Sequence, residues 1–271
     1  FVDQMHQQIR EFVEKHERFR PGTGSYSTPF RGTLFGQNKS DKIEEKLLKT
    51  RSADVLFLGA NPNVPRSLDV IANNFKWDGD WCFFLAQCES GFFGEIDPDF
   101  PATHKLGWDP INGKKVRAHW KVFAEALKSA LRQDKADAVA MQNLIPWGSR
   151  TVDEFLKKME SDIPDVLELA TSLLEISVAA LHPRLLLAPL SLCRHEALEG
   201  FPIAVNSAEQ LSKVEFAGGG RFEIMTGRVE ISNNELPIVF TSHPSYLVYQ
   251  RNDVREAVKG ALFKALVKAL E

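Results

Sequence analysis

Four short apolar runs punctuate the chain, and each ends on residues that stop a strand. Val55-Leu56-Phe57-Leu58 meets Gly59, and Ala138-Val139-Ala140-Met141 runs toward Asn143. Leu185-Leu186-Leu187-Ala188 meets Pro189, and Ile238-Val239-Phe240-Thr241 precedes Ser242. Runs this short and this continuously apolar are those of strands covered on both faces. Between them the apolar spacing becomes helical. Trp120, Phe123, Ala124, Leu127 and Leu131 fall on one face, and Pro164 opens a helix behind Ser161 and Asp162. Val254, Val258, Ala261, Leu262, Ala265, Leu266 and Ala269 form a stripe behind Asn252 and Asp253, which are suited to cap it.

Upstream, Val2, Met5, Ile9, Phe12, Val13 and Phe19 predict an amphipathic helix over 2–19. Residues 20–38 are rich in Gly, Pro, Ser and Thr and read as a loop; Ser40 is placed to cap a short helix through Lys49. Strands alternating with helices predict an α/β fold: a three-layer α/β/α domain on a central four-stranded parallel sheet. Residues 213–232 break the rhythm. Phe222-Glu223-Ile224 and Val229-Glu230-Ile231 alternate around Thr226-Gly227, which reads as a β-hairpin excursion. No linker-like stretch interrupts 1–271, so one domain is expected.

Composition narrows this little. The 271 residues are 44% hydrophobic and 25% charged, the balance of an ordinary globular chain. No apolar run reaches membrane length and no signal peptide opens the chain, which begins at Phe1 as an internal piece of a longer one would. Cys82, Cys88 and Cys193 are too few for a disulfide framework and form no CxxC pair. A cytoplasmic setting and no metal follow as expectations. His104, His119, His182 and His195 have no ligand spacing, and Asp78, Asp80, Glu95, Asp97 and Asp99 read as a solvated acidic loop.

Charge is more informative by segment than in total. The net charge is −3, but residues 1–53 carry ten basic against seven acidic residues, and 243–271 carry five against three. A polyanion would therefore meet the two ends of the chain, where Arg18, Arg20, Arg31 and Arg251 are the candidate contacts.

Ligands of open α/β sheets bind beyond the carboxyl ends of the strands. The residues predicted there are Gly59-Ala60-Asn61-Pro62-Asn63, Gln142-Asn143-Leu144-Ile145-Pro146-Trp147, Pro189-Leu190-Ser191 and Ser242-His243-Pro244-Ser245-Tyr246-Leu247. None of these ends carries a carboxylate, which argues against a glycosidase carboxylate pair. GxSxG, GxGxxG and Walker sequences are absent, so a nucleophile elbow and the common nucleotide cradles lack support. Gly218-Gly219-Gly220 precedes a strand, not a helix, and reads as a loop.

Gly-Ala-Asn-Pro at 59–62 and Ser-His-Pro-Ser at 242–245, each after a predicted strand, together resemble the uracil-DNA glycosylase superfamily. The chain is most similar to the branches whose first motif is Gly-x-Asn-Pro-Gly, the mismatch-specific and single-strand-selective enzymes. Asn143-Leu144-Ile145-Pro146-Trp147 resembles the superfamily's Asn-containing segment at its second strand. The resemblance spans 54–270, making 54–271 the core and 1–53 an N-terminal helical extension.

The resemblance implies roles. Asn61 would orient the attacking water and His243 would stabilise negative charge on the departing base. Asn143 would read the base edge with one donor and one acceptor. Ala60 would line the base site, with Phe83 or Phe84 as the stacking aromatic. Ser242 and Ser245 would hold phosphates, Tyr246 and Arg251 would face DNA, and Leu247 would be the wedge behind an extruded base. The implied partner is DNA carrying uracil or a deaminated base, met by a monomer that needs no cofactor and no membrane, with a nucleoid-associated role in a bacterium. The sequence departs from the pattern at Asn63, where a glycine is usual, and at Tyr246, where proline or glycine is common. These departures motivate one rival, a non-catalytic nucleic-acid or nucleobase binder of the same fold. The acidic total motivates another, a small-molecule hydrolase or transferase.

Overall fold

The computed structural model describes residues 2–19, 33–34, 52–60, 122–123, 125–131, 139–147, 156–157, 159–194, 209–247 and 249–271. Among these lies one mixed sheet of seven strands. They are β1 (Thr33–Leu34), β2 (Val55–Gly59), β3 (Val139–Asn143), β4 (Leu185–Pro189), β5 (Glu209–Glu215), β6 (Arg221–Ile231) and β7 (Asn234–Thr241). Their order is β1-β3-β2-β4-β7-β6-β5. The inner four, β3-β2-β4-β7, are parallel, while β1 joins one side and β6-β5 the other in antiparallel sense. The α/β class therefore holds, and the four predicted strands are the parallel ones. The expected four-stranded sheet is corrected to seven, because antiparallel strands cover both of its edges.

Two apolar layers face each other across the sheet, and the pleat of the strands sorts residues between them. Leu56, Leu58, Leu186, Ala188, Ile238 and Phe240 belong to one layer, with α1 (Val2–Lys15) and α2 (Ile163–Leu181). Val55, Phe57, Leu185, Leu187 and Val239 belong to the other, with the helical residues 122–123 and 125–131 and α4 (Asn252–Leu270); a short α3 (Ser191–Arg194) follows β4. β2 and β4 are apolar at every position because both of their faces are covered.

The first helix is not peripheral. It stops at Lys15, and a 3-10 turn (Glu17–Phe19) follows. Met5, Ile9, Phe12, Val13 and Phe19 are buried in the same layer as β2 and α2. Phe12 and Phe19 bracket Trp147, with ring centroids 5.4 and 4.8 Å away. Residues called an extension by sequence thus pack into the core.

The predicted hairpin at Thr226-Gly227 is also corrected. β6 runs unbroken through it, in continuous register with β7 from Ile224↔Thr241 to Ile231↔Asn234. The sequence shows a phase flip, not a turn. Phe222 and Ile224 are buried in the α4 layer, whereas Val229 and Ile231 are buried in the α1–α2 layer. One straight strand changes its buried face because different helices cover its two halves. The real turns lie at its ends. Gly218 (φ 107°) and Gly219 (φ 94°) make the β5–β6 connection, and Ser232 (φ 50°) and Asn233 (φ 63°) make the β6–β7 one.

The predicted caps differ too. α4 begins behind Arg251, an extended residue without a side-chain cap bond, and Asp253 instead forms a two-pronged pair with Arg251 at 3.0 and 2.7 Å. Asp162 precedes α2 without a capping bond and is ion-paired with Arg18. Lys259, expected on a solvated face, bridges α4 to the helical residues 125–131 through Glu125 at 3.0 Å. Of the loop expected at 20–38 only Thr33–Leu34 are described, and they are a strand, β1, because they pair with Met141 and Ala140 of β3; the rest of it, the 40–49 helix and the acidic loop lie outside the described residues.

Candidate functional site

Four parallel strands point their carboxyl ends at one edge of the sheet. From β2 the chain passes to β3 on one side, and from β4 to β7 on the other, so β2 and β4 flank the switch in direction. That is where open α/β sheets hold ligands. Register places Gly59 beside Asn143 and Pro189 beside Thr241.

Backbone bonds tie the loops at this edge to their neighbours. Leu144 and Ile145 donate their N–H groups to the carbonyls of Gly59 and Ala60, each at 2.9 Å. These bonds fold the chain after β3 across the end of β2 and bury Ala60. Leu190 donates to the Thr241 carbonyl at 2.7 Å, which ties the exit of β4 to that of β7.

His243 stands two residues past the end of β7. Its residue surface still reaches solvent, yet protein atoms crowd the ring, and this burial pushes the imidazole below its ordinary value. The two observations differ, and the crowding decides the direction because desolvation acts on the ring while exposure counts the whole residue. A lowered value means a neutral imidazole at pH 7, with one N–H to donate and one lone pair to accept.

Ser242 is committed to the fold. Its hydroxyl oxygen accepts the Glu223 N–H at 2.9 Å, and its own N–H donates to the Glu223 carbonyl at 2.9 Å. The expected phosphate contact would have to share that oxygen. Leu247 is corrected outright: it is 0% exposed, among Val258, Leu262 and Leu266. A wedge must project from the surface, and this side chain anchors its turn to the core instead. Exposed in the same segment are Tyr246 at 59% and Tyr249 at 79%. Arg251 is exposed but occupied by Asp253, and Arg18 by Asp162, Ser161 and the Met159 carbonyl. Neither is the uncommitted phosphate contact that segment charge suggests. Asn143 closes β3; Ser245 lies in the 3-10 turn Pro244–Leu247. Asn61, Phe83, Phe84, Arg20 and Arg31 lie outside the described residues.

Two polar residues, Glu223 and Thr241, were missed, and Gln142 was placed at a strand end without a role. Glu223, a carboxylate that the reading of strand ends overlooked, reaches this edge through β6 and is buried beside Arg221 (3.2 Å) and Lys213 (4.0 Å). Gln142 is 2% exposed with both amide atoms unpartnered, and the buried Thr241 hydroxyl is likewise unpartnered. Groups left in that state cost stability. A polar residue inside an otherwise apolar run was the available signal for Gln142.

Among the described residues no cluster of His, Cys, Asp and Glu is arranged to hold a metal ion, and no helix is long and apolar enough to cross a membrane. An open groove of about 360 Å³ between α1, α2 and the β6–β7 turn, lined by Gln4, Glu175 and Ser232 among others, lies at the opposite edge of the sheet from His243. Comparison of the chain with models of known families and with curated protein sequences finds no match.

Proposed function

We propose that the protein is a DNA glycosylase that hydrolyses the N-glycosidic bond of uracil or a related damaged base, on a single three-layer α/β/α domain of the uracil-DNA glycosylase kind. The observation that carries this reading is the shared edge. Parallel pairing brings Gly59-Ala60, Asn143 and the Ser242-His243 segment to the carboxyl end of one sheet, with β4 between β2 and β7.

The geometry suits the chemistry. Asn143 and the exit of β7 are three strand spacings apart, about 14 Å at ~4.8 Å each. A pyrimidine held between an amide on one side and an imidazole on the other fills such a span. Asn143 would offer a donor and an acceptor to the base edge, and a neutral His243 would donate its N–H to the carbonyl where charge gathers as the bond breaks. Asn61 is an amide and a poor base. It can orient a water toward a sugar that is already oxocarbenium-like, and that is sufficient when bond breaking leads attack. The reaction adds water across the C1′–N bond and releases the free base, leaving an abasic site; it needs no redox partner. In this reading the protein acts as a cytoplasmic monomer.

A uracil-containing oligonucleotide, treated with the protein and then with alkali, tests the reading. Strand cleavage is expected, and His243→Ala should lower its rate by roughly 10²–10³-fold, the loss typical of a donor to developing charge. No cleavage of single- or double-stranded DNA carrying uracil, mismatched thymine or deaminated purines would overturn it. A gel shift without base release would leave the non-catalytic binder.

A further inference from the structure

We propose that Tyr246 and Tyr249 form a stacking platform for unpaired bases of a DNA strand, beside the edge where His243 stands. The proposal rests on the nucleic-acid reading above and deepens it by naming the surface that grips the strand. Among the described residues only three large apolar side chains are exposed, and two of them are these tyrosines, three positions apart. Scattered exposed apolar groups are ordinary, but two exposed rings three positions apart, in the segment that follows a candidate site residue, are a candidate contact surface.

Hydrogen bonds hold the backbone of the Pro244–Leu247 turn. Leu247, between the two, is sunk into the α4 layer. Its carbonyl accepts two bonds, from the Gln250 N–H at 3.2 Å and the Arg255 Nε at 3.2 Å. The Tyr246 N–H donates to the His243 carbonyl at 3.0 Å, which joins the platform directly to the candidate catalytic residue. A tyrosine has only two side-chain torsions, so a ring held out from an anchored turn gives up little entropy on binding.

The cation two positions after Tyr249 does not favour a phosphate grip. Arg251 is tied to Asp253 by both of its prongs. Base faces, which every nucleotide has, are what two exposed rings recognise without sequence preference. In a duplex those faces are already stacked on each other, so the fit is to a single strand. The segment 243–271 still carries five basic against three acidic residues, which does not repel the polyanion.

The test is fluorescence anisotropy of a labelled oligo-dT and a labelled hairpin duplex with the full chain, alongside base release from a uracil oligonucleotide. Tyr249→Ala and Tyr246→Ala should each weaken oligo-dT binding about tenfold or more. Tyr249→Phe should retain binding, because the ring and not the hydroxyl is the contact. Unchanged thermal midpoints would show that all three variants fold. Alanine variants that bind oligo-dT like the parent, or a phenylalanine variant as weak as alanine, overturn the platform even if base release proceeds. Binding that depends on the tyrosines without any base release overturns the catalytic reading and leaves the platform. A parent that binds neither probe overturns both. A dimer that Tyr249→Ala converts to monomer would show that the patch meets a second copy of the chain, and would also overturn the proposal.

Discussion

His243 and Leu247 lie four positions apart and have opposite fates, although both sit in one motif-like segment. The imidazole is crowded but uncharged at neutral pH, and its pKa is pushed down by burial. Its ¹H resonance should titrate below pH 6.5; a midpoint at or above that value would contradict the crowding. Below pH 6.5 the unfolded chain takes up a proton that folded His243 resists, so this residue lowers stability as pH falls toward its folded value, and the loss stops below that value. Leu247 is fully buried among α4 side chains. Leu247→Ala should cost about 2–5 kcal/mol in urea unfolding, as truncation of a core leucine does. A change below 0.5 kcal/mol would mean that the side chain is not anchored. The motif placed both residues at a strand end correctly, but motif spacing does not contain burial. Which of the two faces inward is decided by α4, which arrives later in the chain.

At the scale of elements, periodicity served well where both faces of a strand share one environment and misled where they do not. β2 and β4 are apolar at every position, and their limits are legible to within a residue. β6 passes from one helical layer to the other, so its pattern changes phase at Thr226-Gly227 and imitates a turn. The real turn, Ser232-Asn233, has positive φ at both central positions, the condition for a type I′ hairpin. Serine holds such a backbone at a cost that glycine avoids, about 1–2 kcal/mol for a residue with a Cβ. Replacing Ser232-Asn233 by Asn-Gly should therefore stabilise the protein by roughly 0.5–1 kcal/mol, the usual gain for a better-matched turn. No rise in the thermal midpoint would argue that the strain is absent.

Over the whole molecule, the N-terminal helix is the clearest case of an element whose place could not be read locally. Its amphipathic stripe was plain, but an apolar stripe does not say what it meets. In the fold it covers α2 and Trp147, and Arg18 pairs with Asp162 across 144 positions of chain. Four of its side chains and Phe19 of the following turn are buried, at about 1.5–3 kcal/mol each. Deleting residues 2–19 should accordingly remove an amount comparable to the whole stability of a typical domain, about 5–15 kcal/mol. A truncated chain that unfolds cooperatively at the parent's urea midpoint would refute that packing. Charge tells the same story. Segment totals pointed to Arg18 and Arg251, but a total does not reveal that each is already held by a carboxylate.

The sequence by itself determined the α/β class, the four parallel strands and the polar segments at their ends, because each follows from short-range patterns of burial and from residues that stop a strand. It also determined that Asn143 and His243 lie at carboxyl ends. Only the tertiary structure decided that those ends share one edge, that Leu247 is core while Tyr246 and Tyr249 are surface, that Glu223 reaches the same edge from β6, and that β6 is one strand. Those outcomes depend on contacts between segments far apart in the chain, and the energy of burying a side chain is set by what closes over it, not by its neighbours in sequence.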